Sequence, residues 1–231
     1  MIAMKQPLPP VILLGGNCNA LSVARSLGQA GVKVYALTVP DAHVRHSRYC
    51  TLIRPPGGGN DVSAWGDYLL GPDARSFHGA VLLACSDAEV EFLAQNREPL
   101  ARRYRLDLSD PDAQLSMLNK LRTYQKAAAA GVPVPRFWVP QTRAQFEELR
   151  GSLEFPLVVK PLYSHVYRQR FAHKLVVARD FAEALQAFEA AQAARVEVML
   201  LEMIPGPDDR LCSYYTYLDA DGNPLFHFTK R

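Results

Sequence analysis

The sequence has no apolar run close to the roughly 20 residues a helix needs to cross a bilayer, so a membrane span is not expected. Its first ten residues carry one lysine and three prolines and lack an apolar signal core. A cytoplasmic location is therefore the expectation. An excess of one charge is also missing. The 26 basic and 23 acidic residues leave a net charge of +3 and are scattered along the chain. Nothing forms the dense basic face of a nucleic-acid binder, and no nucleic-acid partner is expected. Cysteines number only four (Cys18, Cys50, Cys85 and Cys212), far apart and without a C-x-x-C pair. That spacing argues for reduced thiols rather than disulfides or zinc ligands. His43 and His46 stand beside Arg45 and Arg48 with no carboxylate pair nearby, which reads as a solvated loop rather than a metal site. Internal repeats and low-complexity tracts are absent, and a homo-oligomer is left open.

What is present is an ordinary globular composition, 48% hydrophobic and 21% charged over 231 residues, enough for one to two domains. The first half alternates short apolar runs with helical stretches, predicting α/β architecture with parallel strands joined by crossover helices. Residues 10–14 read as a strand and Gly15-Gly16-Asn17 as a turn. Residues 20–30 read as a helix with Leu21, Ala24, Leu27 and Gly28 inward, ended by Gly31. Strand patterns follow at residues 32–38 and 80–84, with a glycine- and proline-rich surface loop at 54–60 and a helix at 61–70 between them. Ser86 and Glu89 are placed to form a capping box.

Around residues 110–118 the pattern changes. One helix is expected from Asp110-Pro111 through Lys120 to Ala130, closed by Gly131, and then a short strand at 136–139. Thr142 and Gln145 form a second capping box. A strand at 157–160, a polar loop at 162–173 and a strand at 174–178 follow. Asp180 caps a helix whose Phe181, Ala184, Leu185 and Phe188 share one face. The apolar run 196–201 leads into Glu202-Met203-Ile204-Pro205-Gly206, and a hairpin is expected from 212–218 and 224–229 around a turn at 219–223.

Two places carry chemistry. The strand–Gly15-Gly16-Asn17–helix turn is the geometry in which backbone amides attract an anion. A dinucleotide fingerprint would need glycine at 15, 17 and 20, but the chain has Gly15, Asn17 and Ala20, and the second strand ends in Thr38 with no acid for a ribose. A plain tight turn and a weak site for a substrate carboxylate both remain open here, and a nicotinamide-dependent oxidoreductase is the less favoured reading. The second place is an ordered set. Lys160 ends an apolar strand before Pro161, where its ammonium can sit at a cleft mouth and meet phosphate. Glu202 begins an extended hinge whose backbone can present a carbonyl and an amide to the amino group and N1 of an adenine. Asp209 falls seven residues later, and Lys120 lies eleven residues before Gly131.

Lys120, Lys160, Glu202-Met203-Ile204-Pro205-Gly206 and Asp209, in that order, resemble the ATP-grasp superfamily, in particular its carboxylate-amine ligases. The resemblance implies a pre-ATP-grasp Rossmann-like domain over residues 1–112, a small α+β lobe over 113–199 and the incomplete start of a large lobe over 200–231. It implies that Lys120 and Lys160 contact nucleotide phosphates, that Glu202, Met203 and Ile204 hold adenine and that Asp209 holds ribose. Gly15, Gly16 and Asn17 would then contribute to the site of the other substrate. Many members cover the phosphates with a glycine-rich flap. This chain has instead Tyr163-Ser164-His165-Val166-Tyr167-Arg168-Gln169-Arg170, so Arg168, Arg170 and above all Lys174 are candidates to supply those contacts. The implied partners are ATP, a small carboxylate and an amine, joined through an acylphosphate. The implied Mg²⁺ would take ligands from strands beyond residue 231, so no metal ligand is expected within the chain. Lys230 or Arg231 would also lie near the phosphates. On this reading the 231-residue piece cannot complete catalysis alone. A non-catalytic nucleotide-binding or scaffold module is the alternative.

Overall fold

The computed structural model describes residues 8–56, 58, 61–219 and 221–231. Gly57, Gly59 and Asn60 in one expected loop, Ala220 in the expected hairpin turn, and residues 1–7 lie outside the described residues. The chain divides into two compact units, residues 1–115 and 116–231.

In the first unit β1 (Val11–Leu14), α1 (Cys18–Gln29), β2 (Val34–Leu37), β3 (Cys50–Ile53), α2 (Val62–Leu70), β4 (Val81–Ala84), α3 (Asp87–Gln95) and α4 (Arg97–Ala101) follow in order, and α5 (Pro111–Leu118) spans the boundary between the units. The strands form a parallel sheet in the order β3-β2-β1-β4. Every residue of β1 is buried because the strand is central and covered on both faces. Ile12 and Leu14 enter one core layer with Trp65, Leu69 and Leu82. Val11 and Leu13 enter the other with Ala20 and Ala24 of α1.

Helix α1 starts two residues earlier than expected, and Ala20 and Ala24 are its buried residues; Leu21 and Leu27 are half-buried. Gly28 matters because the Tyr49 ring closes on it: a Cβ there would meet Tyr49 Cβ at 2.3 Å. Strand β3 was not anticipated from sequence. It is an edge strand whose Thr51 is exposed and whose Cys50 and Leu52 are only half-buried, so its apolar signal is diluted. Ser86 sits at the N-cap of α3, but its hydroxyl bonds the Glu89 carboxylate instead of capping a backbone amide, so the expected capping box is not made.

The second unit holds α6 (Lys120–Ala129), β5 (Phe137–Trp138), α7 (Arg143–Glu148), β6 (Leu157–Pro161), α8 (Ser164–Arg168), β7 (Val176–Ala178), α9 (Phe181–Ala193), β8 (Val198–Glu202), β9 (Ser213–Leu218) and β10 (Pro224–Lys230). An antiparallel sheet runs β5-β8-β6-β7. Asp180 caps α9 by accepting from the Glu183 amide at 2.9 Å. The inner face of α9 buries Ala184, Phe188 and Ala191 against Leu157, Val159 and Leu200 of the sheet. Phe146 of α7 completes that layer, its ring 5.0 Å from Phe188 and 5.2 Å from Phe181. The opposite sheet face packs Met199 and Leu201 against Leu121 and Tyr124 of α6.

Three sequence expectations change here. The single helix over 110–130 is two helices, broken at Asn119, whose extended backbone lets its side chain accept from the Arg122 amide at 3.0 Å. Asparagine competes with helix continuation in this way. The loop over 162–173 contains the short helix α8. The strand expected from Lys174 begins only at Val176. β9 and β10 form the expected hairpin, pairing only with each other, and every described residue of both strands is exposed.

Candidate nucleotide-binding site

The break at Asn119 decides where Lys120 lies. It becomes the first residue of α6, and its backbone amide donates to the carbonyl of Leu162 at 3.0 Å, just past the end of β6. That bond fastens the start of α6 to the strand end that carries Lys160, so both lysines gather at one end of β6. Lys160 pairs in register with Met199, on the sheet face that α6 covers. Its half-buried ammonium lies 3.5 Å from the Tyr124 hydroxyl and 5.7 Å from the centroid of that ring. Tyr124 is itself stacked on Phe137 at 5.9 Å. Aromatic contacts hold the lysine in place without neutralising it, leaving its charge available to an anion.

Glu202 ends β8, paired with Leu157, which lies on the α9 side of the sheet. Because side chains alternate along a strand, Glu202 and Lys160 leave the sheet on opposite faces. They are offset by three register positions, about 10 Å along the strands. The Glu202 carboxylate is committed to Arg136: it accepts from the Arg136 amide at 2.9 Å and lies 3.5 Å from its Nε, while the Glu202 amide donates to the Arg136 carbonyl at 2.8 Å. The Arg136 backbone bond, followed by the Arg136 charge, holds the Glu202 carboxyl below its ordinary pKa. Arg136 also pairs with Glu154 at 2.8 Å, and that bond raises the guanidinium pKa. The glutamate thus braces the start of the hinge. Sequence reasoning missed Arg136 because the partners are 66 residues apart.

Beyond Glu202 the chain leaves the sheet. Among the described residues the amides and carbonyls of Met203 and Ile204 have no hydrogen-bond partner, and both residues are exposed. These backbone donors and acceptors face solvent. Asp209 follows in a single 3-10 turn, Asp208–Arg210, and is exposed. The structure thus gathers Lys120 and Lys160, places the hinge at the far end of the adjacent strand, and leaves Asp209 beyond it. Lys174 is a correction: it is exposed and two residues short of β7, so no strand entrance fixes it. Arg168 and Arg170 are exposed at the end of α8 and just after it. In place of a glycine-rich flap this segment is held by Tyr167, which stacks on Phe171 at 4.4 Å and whose hydroxyl lies 2.8 Å from His173 Nε2. A cavity of about 480 Å³ at the start of β8 is lined by Pro140, Gln192 and Glu197 among others, and by neither of these lysines nor any hinge residue.

In the first unit, Gly15 and Gly16 are buried and Asn17 is exposed. Gly15 has φ +88°, which favours glycine, and the Glu89 carboxylate closes on it: a Cβ there would meet Glu89 Oε1 at 3.2 Å. Glu89 is 6% exposed. A buried carboxylate beside the turn weighs against an anion in that spot by like-charge repulsion.

No protein-family model matches the chain. It is 31% identical over 91 residues to a D-alanine–D-alanine ligase of Stutzerimonas stutzeri (strain A1501), a match spanning 39% of this chain and 27% of that protein. The solved structure of the ADP complex of purK, N5-carboxyaminoimidazole ribonucleotide synthetase, superposes with TM-score 0.72 at 17% identity, covering 99% of this chain and 55% of that one. An L-amino acid ligase from Bacillus licheniformis superposes with TM-score 0.67 at 17% identity, covering 94% of this chain and 50% of its own. These likenesses show an ATP-grasp fold for this chain. Its α/β fold is a partial ATP-grasp fold, and the chain spans about half the length of these solved structures. No helix among the described residues is long and apolar enough to cross a membrane.

Proposed function

We propose that residues 1–231 form the N-terminal part of an ATP-dependent carboxylate-amine ligase. The observation that carries this is the junction of β8 with its hinge: free Met203 and Ile204 backbone groups just past the end of a strand whose neighbour presents the unneutralised Lys160. ATP supplies the phosphoryl group that activates a carboxylate, as an acylphosphate, toward an amine. The chain's own groups bind and orient. In this proposal Lys160 and Lys120 neutralise phosphate oxygens, the hinge backbone reads the adenine edge, and Asp209 meets the ribose. Glu202 acts through Arg136, holding the hinge in register. This is electrostatic positioning, with no protein nucleophile.

The hinge groups and the lysines are chemically suited to ATP. We assign the Mg²⁺ ligands to segments outside residues 1–231, as the resemblance to the superfamily implies. The hairpin supports that assignment. Tyr214, Tyr217, Leu225 and Phe226 are each about 60% exposed, a surface that fits burial under further polypeptide.

The test has two parts. Calorimetric titration of the 231-residue chain with ATP should give saturable binding that Lys160→Ala weakens. A longer gene product incubated with MgATP and pools of carboxylates and amines should release ADP and phosphate only when an acceptor pair is present. Binding without turnover in any pool favours a nucleotide-binding module. Absence of binding to both the short and the longer protein refutes the proposal.

A further inference from the structure

A cavity of about 380 Å³ opens in the first unit at the carboxyl ends of β2 and β3, well apart in sequence from every residue assigned above. Pro40, Leu52, Ile53 and Pro55 make its apolar walls, and Arg45 and Arg54 bring two guanidinium groups to its lining. Open α/β sheets bind ligands at the carboxyl ends of their strands, and the volume suits a small organic molecule.

The charges around it do not cancel. Arg45 is oriented by the Pro40 carbonyl at 3.2 Å and by Asp41 Oδ1 at 2.9 Å. Arg54 has no hydrogen-bond or ion-pair partner among the described residues. Two guanidiniums against one carboxylate leave one positive charge. Thr38 forms another part of the lining, 9% exposed, and its buried hydroxyl makes no hydrogen bond. That hydroxyl lies against Gly16, where a Cβ would come within 2.0 Å of it, so the glycine turn leaves room for the threonine at this wall. Apolar walls, one uncompensated arginine and a buried unpaired hydroxyl together describe a particular chemistry.

We infer that this cavity binds an amphipathic organic monoanion, a carboxylate whose apolar body lies against Leu52 and Ile53 and whose charge meets Arg54. A planar guanidinium matches a carboxylate in two parallel hydrogen bonds, and Arg45, already held in place, loses little freedom in joining it. The inference uses the first unit alone and does not depend on ATP binding.

The experiment titrates the 231-residue chain, methyl-labelled at leucine and isoleucine, with 3-phenylpropanoate, and separately with 3-phenylpropylammonium and inorganic phosphate. Saturable shifts are expected at the Leu52 and Ile53 methyls with 3-phenylpropanoate, and not with the ammonium analogue. Arg54→Gln should weaken that binding about tenfold, and Arg54→Glu should abolish it, while methyl spectra elsewhere stay unchanged. Equal binding of the ammonium compound would overturn the inference, as would an undiminished affinity of Arg54→Glu. Phosphate binding as tightly as 3-phenylpropanoate would make this a simple anion site and overturn the amphipathic assignment.

Discussion

The ammonium of Lys160 rests 5.7 Å from the centre of the Tyr124 ring and 3.5 Å from its hydroxyl, tying the end of β6 to the first turns of α6. If the lysine serves phosphate, the ring is what keeps it aimed. Lys160→Ala should weaken ATP binding about 10- to 150-fold, the equivalent of about 1.5–3 kcal/mol for a charge-assisted contact. Thermal stability should change little, since the side chain contributes at most about 0.5–1 kcal/mol through the ring. Tyr124→Leu should reduce ATP affinity by a smaller factor while preserving the apolar packing. Calorimetry and melting curves on both variants check the pair; equal losses of affinity and stability in Lys160→Ala would make the lysine structural.

Gly16→Ala tests the closest approach in the first unit. The new methyl would meet Thr38 Oγ1 at 2.0 Å and Ala42 Cβ at 2.5 Å, with both neighbours on short buried side chains. A cost of about 1–3 kcal/mol is expected from overpacking. Chemical denaturation should register it in the first unit, and a neutral result would show that the turn relaxes freely.

Phe188→Ala removes the ring around which α9, α7 and the sheet of the second unit are packed. At 2% exposure the loss should be about 3–5 kcal/mol, enough to lower cooperativity of the second unit's unfolding.

Glu202 gives a pH dependence of definite sign. Its folded carboxyl lies below the ordinary value of 4.5, chiefly through the Arg136 amide. Its contribution is therefore complete above that unfolded value and is lost as pH falls through the depressed folded one. Following the Arg136 amide resonance, the midpoint should lie under 4.5. A midpoint at or above that value would mean the brace is not formed in solution.

The cysteines divide by burial. Desolvation raises Cys50 and Cys85 to about 11, with Glu89 adding to the shift at Cys85. At pH 8 a soluble alkylating reagent should modify exposed Cys18 and Cys212 first. These two desolvated thiols favour the folded state while neutral, an effect complete below about 9 and lost as pH rises toward about 11. Peptide mapping after a timed alkylation reads the order directly.

Much was legible in the chain because local signals carried it. The unbroken Val11-Ile12-Leu13-Leu14 run announced a strand covered on both faces, and Asp180 with Phe181, Ala184 and Phe188 announced a capped helix with one inner face. The order of Lys120, Lys160 and the Glu202 hinge was likewise readable, since residue type and spacing are properties of the polymer. Edge strand β3 was not, because half-exposed residues blur the alternation that marks a strand. Nor was the break at Asn119, where one side-chain bond outweighs the helix preference on both sides.

The sequence alone, then, determined which groups exist and which elements carry them, through hydrophobic period, caps and turns. Tertiary structure decided how those groups are used. Antiparallel pairing of β6 with β8 put Lys160 and Glu202 on opposite faces, the Arg136 amide claimed the glutamate, and Glu89 filled the space beside Gly15. Contacts between residues tens of positions apart depend on register and packing, and a linear pattern does not encode those until the chain has closed on itself.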